Sequence, residues 1–523
     1  MRRIRLCVIA VMLAILVGMS PCLADEAYGL PIDTSMLYAD ITVGYLALDG
    51  ATINPFSCTQ WDLVSMNALI YESLIELDGE LKPKALLAEN WVQSDDGKTW
   101  TFYLREGIQF HNGNPLTAYD VISSYHRHLN VGADNPYYGR LATFIESMEV
   151  VDARTVRVKA RYSGYITLYA MTFPIAEEST IYDETPRGSG PYWLIRYDMD
   201  SAIRLEMNPL WWKKQAKVPS VLFKRMKDTG EALAALSTGE IDMLSTQSPT
   251  AALSRKLSKY NTIDYSTTTY EMLIPNLRAE RFTSNVNMRR AIMYAIDMST
   301  VVTNAYLDMA HRSEVPVEST SWIYESQSAK YYYSPERALA LILAEGWEDM
   351  TGDGILNRME DIMLVDLTLN IITYNETGNT IRENAANLIA KYLNAVGIKT
   401  NVEVLTRSRV RTRINERDYD LALVGANLSE VPSLVDMFYL NKSLNLNNYS
   451  TEEMDNYLME SYTARTESDF KSAMSDLQML VSERLPILGI GFRTGAVLSN
   501  RSLSGMSGNR LYDAFNGLEF CTE

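Results

Sequence analysis

Histidine is scarce in this chain, with four among 523 residues. His126 and His128 stand two apart in a helical stretch, so they point in different directions. His111 and His311 are isolated from them and from each other. Clustered-histidine metal sites and histidine-based hydrolysis therefore have little to draw on. No G-x-S-x-G elbow, H-E-x-x-H pair or phosphate-binding G-x-x-x-x-G-K-[ST] loop is present, which leaves catalysis and nucleotide hydrolysis without support. Cysteine is equally rare, with four residues. Cys7 and Cys22 fall in the N-terminal apolar leader, so only Cys58 and Cys521 remain for the folded chain. Positive charge is also short: 48 Lys and Arg against 65 Asp and Glu give −17 at pH 7, and such a surface repels nucleic-acid phosphate and anionic lipid alike. Runs of like charge and low-complexity tracts are missing. The one long apolar run, Leu6–Val17, is short for a membrane span.

What is present begins with that leader. Arg2, Arg3 and Arg5 precede the apolar run, and Cys22-Leu23-Ala24 offers small residues at −3 and −1, so residues 1–24 read as a secretory signal cleaved near Ala24. Pro21 before Cys22 fits a lipid-anchor cleavage site poorly. The rest is 47% hydrophobic and 22% charged, which is globular composition, and its length suggests about three domains.

The informative stretch is Leu86–Asp120. Asp95-Asp96-Gly97-Lys98 separates two extended runs, a hairpin signal that implies a two-residue turn with positive φ. Trp100, Phe102 and Leu104 alternate with Thr99, Thr101 and Tyr103, as in a half-buried strand. Thr117 then reads as a helix N-cap with Asp120 at N3, and Leu116 and Val121 form a hydrophobic staple. Elsewhere, Ile41–Leu48 reads as a strand and Asp62–Leu77 as a helix. Val150–Lys159 and Tyr192–Met207 read as hairpins, and Glu231–Leu236 and Met288–Met298 as helices. The run Leu367–Ile372, Ile381–Val396, Ile398–Leu405, Arg407–Asn415, Tyr419–Val424 alternates strand and helix, which predicts a parallel sheet with right-handed crossovers. Helices Glu452–Ala464 and Asp469–Glu483 precede the apolar strand Pro486–Phe492.

Several of these segments carry a resemblance. LLAENW, DDGKTWTFYLREGIQFHNG and PLTAYDV resemble a signature of the extracellular solute-binding proteins of ABC importers, in family 5 with its oligopeptide-, dipeptide- and nickel-binding members. Tyr71-Glu72-Ser73-Leu74, Gly188-Ser189-Gly190-Pro191-Tyr192, Asn208-Pro209 with Trp211-Trp212, Gly239-Glu240-Ile241-Asp242 and Met288–Asp297 match further motifs in order. The resemblance implies an α/β fold, a two-lobed periplasmic-binding-protein-like clamshell of class II type, with mixed sheets and an extra subdomain in the first lobe. Its implied organisation is signal 1–24, first lobe 25–57, extra subdomain 58–187, first lobe again 188–275, second lobe 276–489, and a return to the first lobe over 490–523. It implies a monomer, periplasmic or cell-surface, that is not an enzyme. Such a protein captures a small ligand, above all a short peptide, and delivers it to an ABC permease and its ATPase. A clamshell sensor or pheromone receptor and a secreted hydrolase are the alternatives.

Ligands of an open parallel sheet bind outside the carboxyl ends of its strands. That rule points to the loop Thr373–Thr380, with Tyr374 and Asn375, which leads into a helix N-terminus suited to a carboxylate. It also points to Gly425–Pro432, with Asn427 and Glu430. In peptide-binding relatives an aspartate beside a tryptophan in this second loop pairs with the ligand's α-amino group. Here Ala426 stands near the tryptophan position and Ser429-Glu430 near the acidic one, so Glu430 is the substitute candidate and a solvated loop carboxylate is the alternative. Asn54, Phe56 and Trp61, just past the first strand, are candidates on the opposite wall, with core packing the alternative for Trp61. Asp349, Thr351, Asp353, Asn357 and Glu360, with Gly354, have calcium-loop spacing, although the family often carries a plain turn there. No other cofactor is implied. The architecture that the resemblance implies brings both chain ends into one domain, which makes a Cys58–Cys521 bridge admissible beside two separate thiols.

Overall fold

Two strands, Asn261–Pro275 and Leu488–Ser499, link the two halves of the molecule. They pair antiparallel from Asn261 opposite Ser499 to Leu273 opposite Leu488. The structure is a computed structural model and describes residues 40–133, 135–507 and 513–522. The leader, with Cys7 and Cys22, lies outside the described residues. Toward the first lobe, Leu488–Ser499 pairs with Met243–Thr246, which runs parallel to Ile41–Leu46. Ser220–Met226, Ala202–Met207 and Tyr192–Asp198 follow outward. Toward the second lobe, Asn261–Pro275 pairs antiparallel with Leu421–Asn427. Thr368–Tyr374 lies parallel to it, and Lys399–Leu405 parallel beyond that. The expected parallel unit is thus present, and one mixed sheet passes through both lobes. The pairing of the crossing strands slips between Ser266 and Tyr270 and again between Glu271 and Met272. Bulges of this kind bend a strand and re-aim its side chains.

Three main apolar cores result. One surrounds Val43, Tyr45 and Phe223 in the first lobe, and one surrounds Leu369, Ile389 and Leu393 in the second. The third joins the extra subdomain to the second lobe, through Phe102 and Tyr169 on one side and Phe470 and Leu477 on the other.

The signature hairpin forms from Ala88–Gln93 and Thr99–Leu104, and Trp100, Phe102 and Leu104 are buried as the alternation predicts. Its turn differs from expectation. Ser94–Lys98 separates the strands, Gly97 N–H donates to Ser94 O, and Gly97, at φ +73°, is the one residue of the turn with positive φ. A turn ending in a left-handed glycine absorbs the strand twist, so a two-residue primed turn is not needed. The following helix, Ala118–Val131, starts as read: the Thr117 N–H and hydroxyl both donate to the Asp120 carboxylate at 2.8 Å.

The helix expected over Asp62–Leu77 ends instead at Asn67, and Ile75–Leu77 is a strand paired with Pro83–Ala85. Tertiary contacts override its periodicity. Glu72 is buried and accepts hydrogen bonds from Ser189 Oγ (2.8 Å), Trp211 Nε1 (3.1 Å) and Trp212 Nε1 (3.0 Å). Three motifs separated in sequence therefore meet at one carboxylate. Gly188 and Gly190 are required there by closeness rather than by φ. A Cβ would stand 2.0 Å from Ile70 O at Gly188 and 2.7 Å at Gly190.

His111 and His128 are structural. His111 Nε2 lies 3.3 Å from Gly190 O, and His128 Nε2 lies 3.1 Å from Pro174 O; burial pushes both imidazoles down to about 4. Cys58 and Cys521 belong to the same first-lobe core yet are free thiols, so the admissible bridge is not formed. Burial raises Cys58 to about 12 and Cys521 to about 11.

Candidate functional site: the space between the lobes

The helix Tyr138–Phe144 of the extra subdomain carries Arg140 toward the second lobe. There its Nη2 meets Glu430 Oε2 at 2.7 Å, and the two side chains are only 4% and 9% exposed. Arg140 Nη1 also donates to Thr172 Oγ1, and the Tyr137 ring lies 4.9 Å from the guanidinium. A desolvated pair persists only where geometry is good and further hydrogen bonds are made, and this one has both. Beside it, Trp322 Nε1 donates to Tyr169 Oη at 2.9 Å, and the Tyr165 ring packs on Trp322 and Phe470. The extra subdomain and the second lobe are thus drawn together in this structure.

Glu430 is a shared wall of two chambers. One, about 120 Å³, is polar and bordered by Tyr71, Glu72, Tyr137, Thr172 and Lys213. The other, about 100 Å³, is mainly apolar, with Leu77 and Leu81 from the extra subdomain, Thr267 and Phe492 from the crossing strands, and Val431 and Leu434 from the second lobe. Glu318 also borders it. Its Oε1 accepts from Ser266 Oγ at 2.6 Å and lies 3.5 Å from His311 Nδ1, an interaction that raises the histidine's pKa.

On the far side of the same loop, at the carboxyl ends of Thr368–Tyr374 and Leu421–Asn427, lies an open cavity of about 900 Å³. Tyr374 and Asn427 border it, as the strand-end rule anticipates, together with Arg407, Arg411, Arg417 and Lys442 and without a lining carboxylate. In a chain of net charge −17 this is a local reversal of sign.

The predicted residues do not gather at one point. Tyr374 and Asn427 face the basic cavity and Glu430 the interlobe chambers. Asn54 has its amide bound to Asp183 O and Glu184 O, and Phe56 is fully buried against His128, so both are structural. Trp61 is half-buried on Tyr265. Asn375 donates to Glu383 at 2.6 Å. The loop after Tyr374 is pinned to the crossing strands. Glu376 pairs with Arg382 and Arg493, and these two arginines grip fully buried Glu271 at 2.9 Å. Burial alone would lower the Arg382 pKa, but the Glu271 carboxylate reverses that and raises it.

The calcium spacing resolves into a turn. Asp349 accepts from Gly352 N and Gly354 N, Asp353 from Ile355 N, and Thr351 Oγ1 lies 3.5 Å from Asp349. Asn357 is buried at the start of the strand Asn357–Glu360, and Glu360 pairs with Arg358 at 2.6 Å. Residues two apart on an extended strand share a face, which sets Glu360, at position 12, beside Arg358. No group of three or more His, Cys, Asp or Glu poised to hold a metal occurs among the described residues.

Arg140, Glu318 and the basic cavity are not among the residues that the chain's local patterns single out. The Arg-rich run Arg407–Arg417 was a legible anomaly; Arg140 and Glu318 carry no local signal.

Two α/β lobes strung on two crossing strands, with chambers between them, define a ligand-binding clamshell. Residues 82–446 match the family model described as bacterial extracellular solute-binding proteins, family 5 middle, and the chain belongs to that family. It is 23% identical over 502 residues to the oligopeptide-binding protein AppA of Bacillus subtilis, covering 91% of this chain and 90% of that one. It is 23% identical over 491 residues to heme-binding protein A of Haemophilus influenzae, covering 86% of each. The solved structure of a nickel ABC transporter protein from Bacillus halodurans superposes with a TM-score of 0.80 at 18% identity, covering 92% of this chain and 100% of that one. The last likeness speaks to fold alone. No helix among the described residues is long and apolar enough to cross a membrane.

Proposed function

We propose that this protein captures a short peptide between its lobes, outside the cytoplasm, and presents it to an ABC permease powered by a separate ATPase. The Arg140–Glu430 pair carries the reading: a desolvated ion pair between extra subdomain and second lobe, with a chamber on either side. Chambers of about 100 Å³ are small beside the ~300–1,000 Å³ of ordinary ligand pockets. A peptide of several residues therefore needs the lobes to part, and its enclosure is the signal a permease can recognise. The names of relatives support the ligand class, since AppA binds oligopeptides and an Escherichia coli protein 26% identical over 313 residues is a dipeptide-binding protein. On this reading residues 1–24 direct export, with cleavage near Ala24 in preference to a lipid anchor at Cys22. Small-angle scattering of the exported protein, with and without a defined tripeptide pool, tests it. Retention of peptide with a change in radius of gyration supports the proposal, and retention of none refutes it.

A further inference from the structure

We infer that the second lobe carries an anion site of its own, set in the open basic cavity, for a small solute with two or more acidic groups. Every residue lining that cavity belongs to the second lobe, from Tyr374 to Asn448, so the site is separate from the interlobe chambers and does not depend on their closure. Its volume of about 900 Å³ falls within the ~300–1,000 Å³ of ordinary ligand pockets, well above either chamber. Arg407, Arg411, Arg417 and Lys442 line it, and no aspartate or glutamate does. In a chain of net charge −17, a pocket of this sign gathers anions that the rest of the surface repels.

The helix Arg407–Glu416 carries arginines of two kinds. Arg413 is matched within the protein, by Glu403 at 3.0 Å and Asp418 at 2.5 Å. Arg407 and Arg411 line the cavity and form no ion pair among the described residues. They stand one turn apart on one face, where like charges repel and oppose the helix that holds them. An anion between them reverses that cost. Guanidinium forks meet carboxylate or phosphate oxygens in pairs. These two forks spring from Cβ atoms roughly 5–6 Å apart, so two acidic groups on one solute can engage both together, which a single acidic group cannot. Further donors surround them. Arg417 spends one N–H on Leu446 O at 3.3 Å, and Lys442 lies 4.0 Å from Asp436, so each keeps others. Asn427 Oδ1 accepts from Thr269 Oγ1 at 2.8 Å, which leaves its amide N–H groups to donate. The Tyr374 ring, 5.8 Å from the Arg407 guanidinium, borders the same space.

The test is isothermal titration calorimetry of the intact protein with citrate, inorganic pyrophosphate, acetate and trialanine, repeated on Arg407→Gln, Arg411→Gln and Arg409→Gln. Arg409 is exposed on the same helix but does not line the cavity, so its variant makes the same change of charge outside the site. Citrate, pyrophosphate or both should bind wild type at least about tenfold more tightly than acetate. Each cavity variant should weaken that binding about tenfold or more, while Arg409→Gln stays within about twofold. The comparison with acetate on wild type stands even if a variant folds poorly. Binding of citrate alone identifies a polycarboxylate as the source, pyrophosphate alone a phosphate ester, and both a site that reads the spacing of charge. Trialanine, with one carboxylate, should be indifferent to both cavity variants, so any retention of it between the lobes is read separately. Acetate binding as tightly as the polyanions, an equal loss in Arg409→Gln, or no binding of citrate and pyrophosphate overturns the site and leaves peptide capture in place. A loss of trialanine binding in Arg411→Gln would overturn the requirement for two acidic groups.

Discussion

Removing Glu430 from its partner should open the molecule. The Arg140 and Glu430 side chains are 4% and 9% exposed, so both ions have left water where the extra subdomain meets the second lobe. Glu430→Ala leaves the guanidinium with the Thr172 hydroxyl and the Tyr137 ring but without a counter-charge. An uncompensated buried charge of this kind costs roughly 3–5 kcal/mol. When the lobes separate, the guanidinium regains water, so the loss falls on the closed arrangement. That corresponds to roughly two to three and a half powers of ten in the closed-to-open ratio. Scattering at low salt should show a larger radius of gyration for Glu430→Ala and for Arg140→Ala. The double change Arg140→Met with Glu430→Leu should restore most of the compactness, because an apolar pair of similar volume is often no worse than the ion pair it replaces. Singles that scatter like the parent, or a double variant as open as the singles, would refute the reasoning.

Acid should weaken the fold through His111 and His128. Burial holds both native pKa values near 4, against about 6.5 in an unfolded chain, so between those values only the unfolded chain takes up these protons and stability falls as pH drops. At pH 5 the loss is about 2 kcal/mol per histidine, and His128→Asn should show a smaller pH 7-to-5 change in urea midpoint than the parent. Gly188→Ala, whose Cβ would sit 2.0 Å from Ile70 O, should destabilise by more than about 3 kcal/mol, while Gly139→Ala, in open helical space, should be neutral or stabilise by about 1 kcal/mol; thermal melts of both decide. Reducing agent should leave the melting temperature unchanged, and both Cys58 and Cys521 should react with iodoacetamide at pH 8 only on unfolding, since both are buried free thiols with raised pKa values. Glu271→Gln should cost about 1.5–3 kcal/mol in urea denaturation, since it weakens the hold on Arg382 and Arg493 while Glu376 still faces both.

Local devices and the class of protein are written along the chain. Alternation in Thr99–Leu104, the Thr117–Asp120 cap and the strand–helix rhythm of 367–424 are set by neighbours a few residues apart, so they could be read without the fold. The spacing of calcium-like residues is legible too; in the structure Asp349 closes a turn on Gly352 and Gly354, and Glu360 pairs with Arg358, two residues back on the same face of its strand. The site depends on contacts made across the fold. Arg140 and Glu430 are 290 positions apart, and Ser266 and Glu318 are 52 apart. Their significance lies in loss of water and in a partner's charge, and neither leaves a periodicity in the chain. The helix expected to reach Leu77 stopped for the same reason: Glu72 is held by Ser189, Trp211 and Trp212, and contacts made across the fold outweighed a pattern written along it.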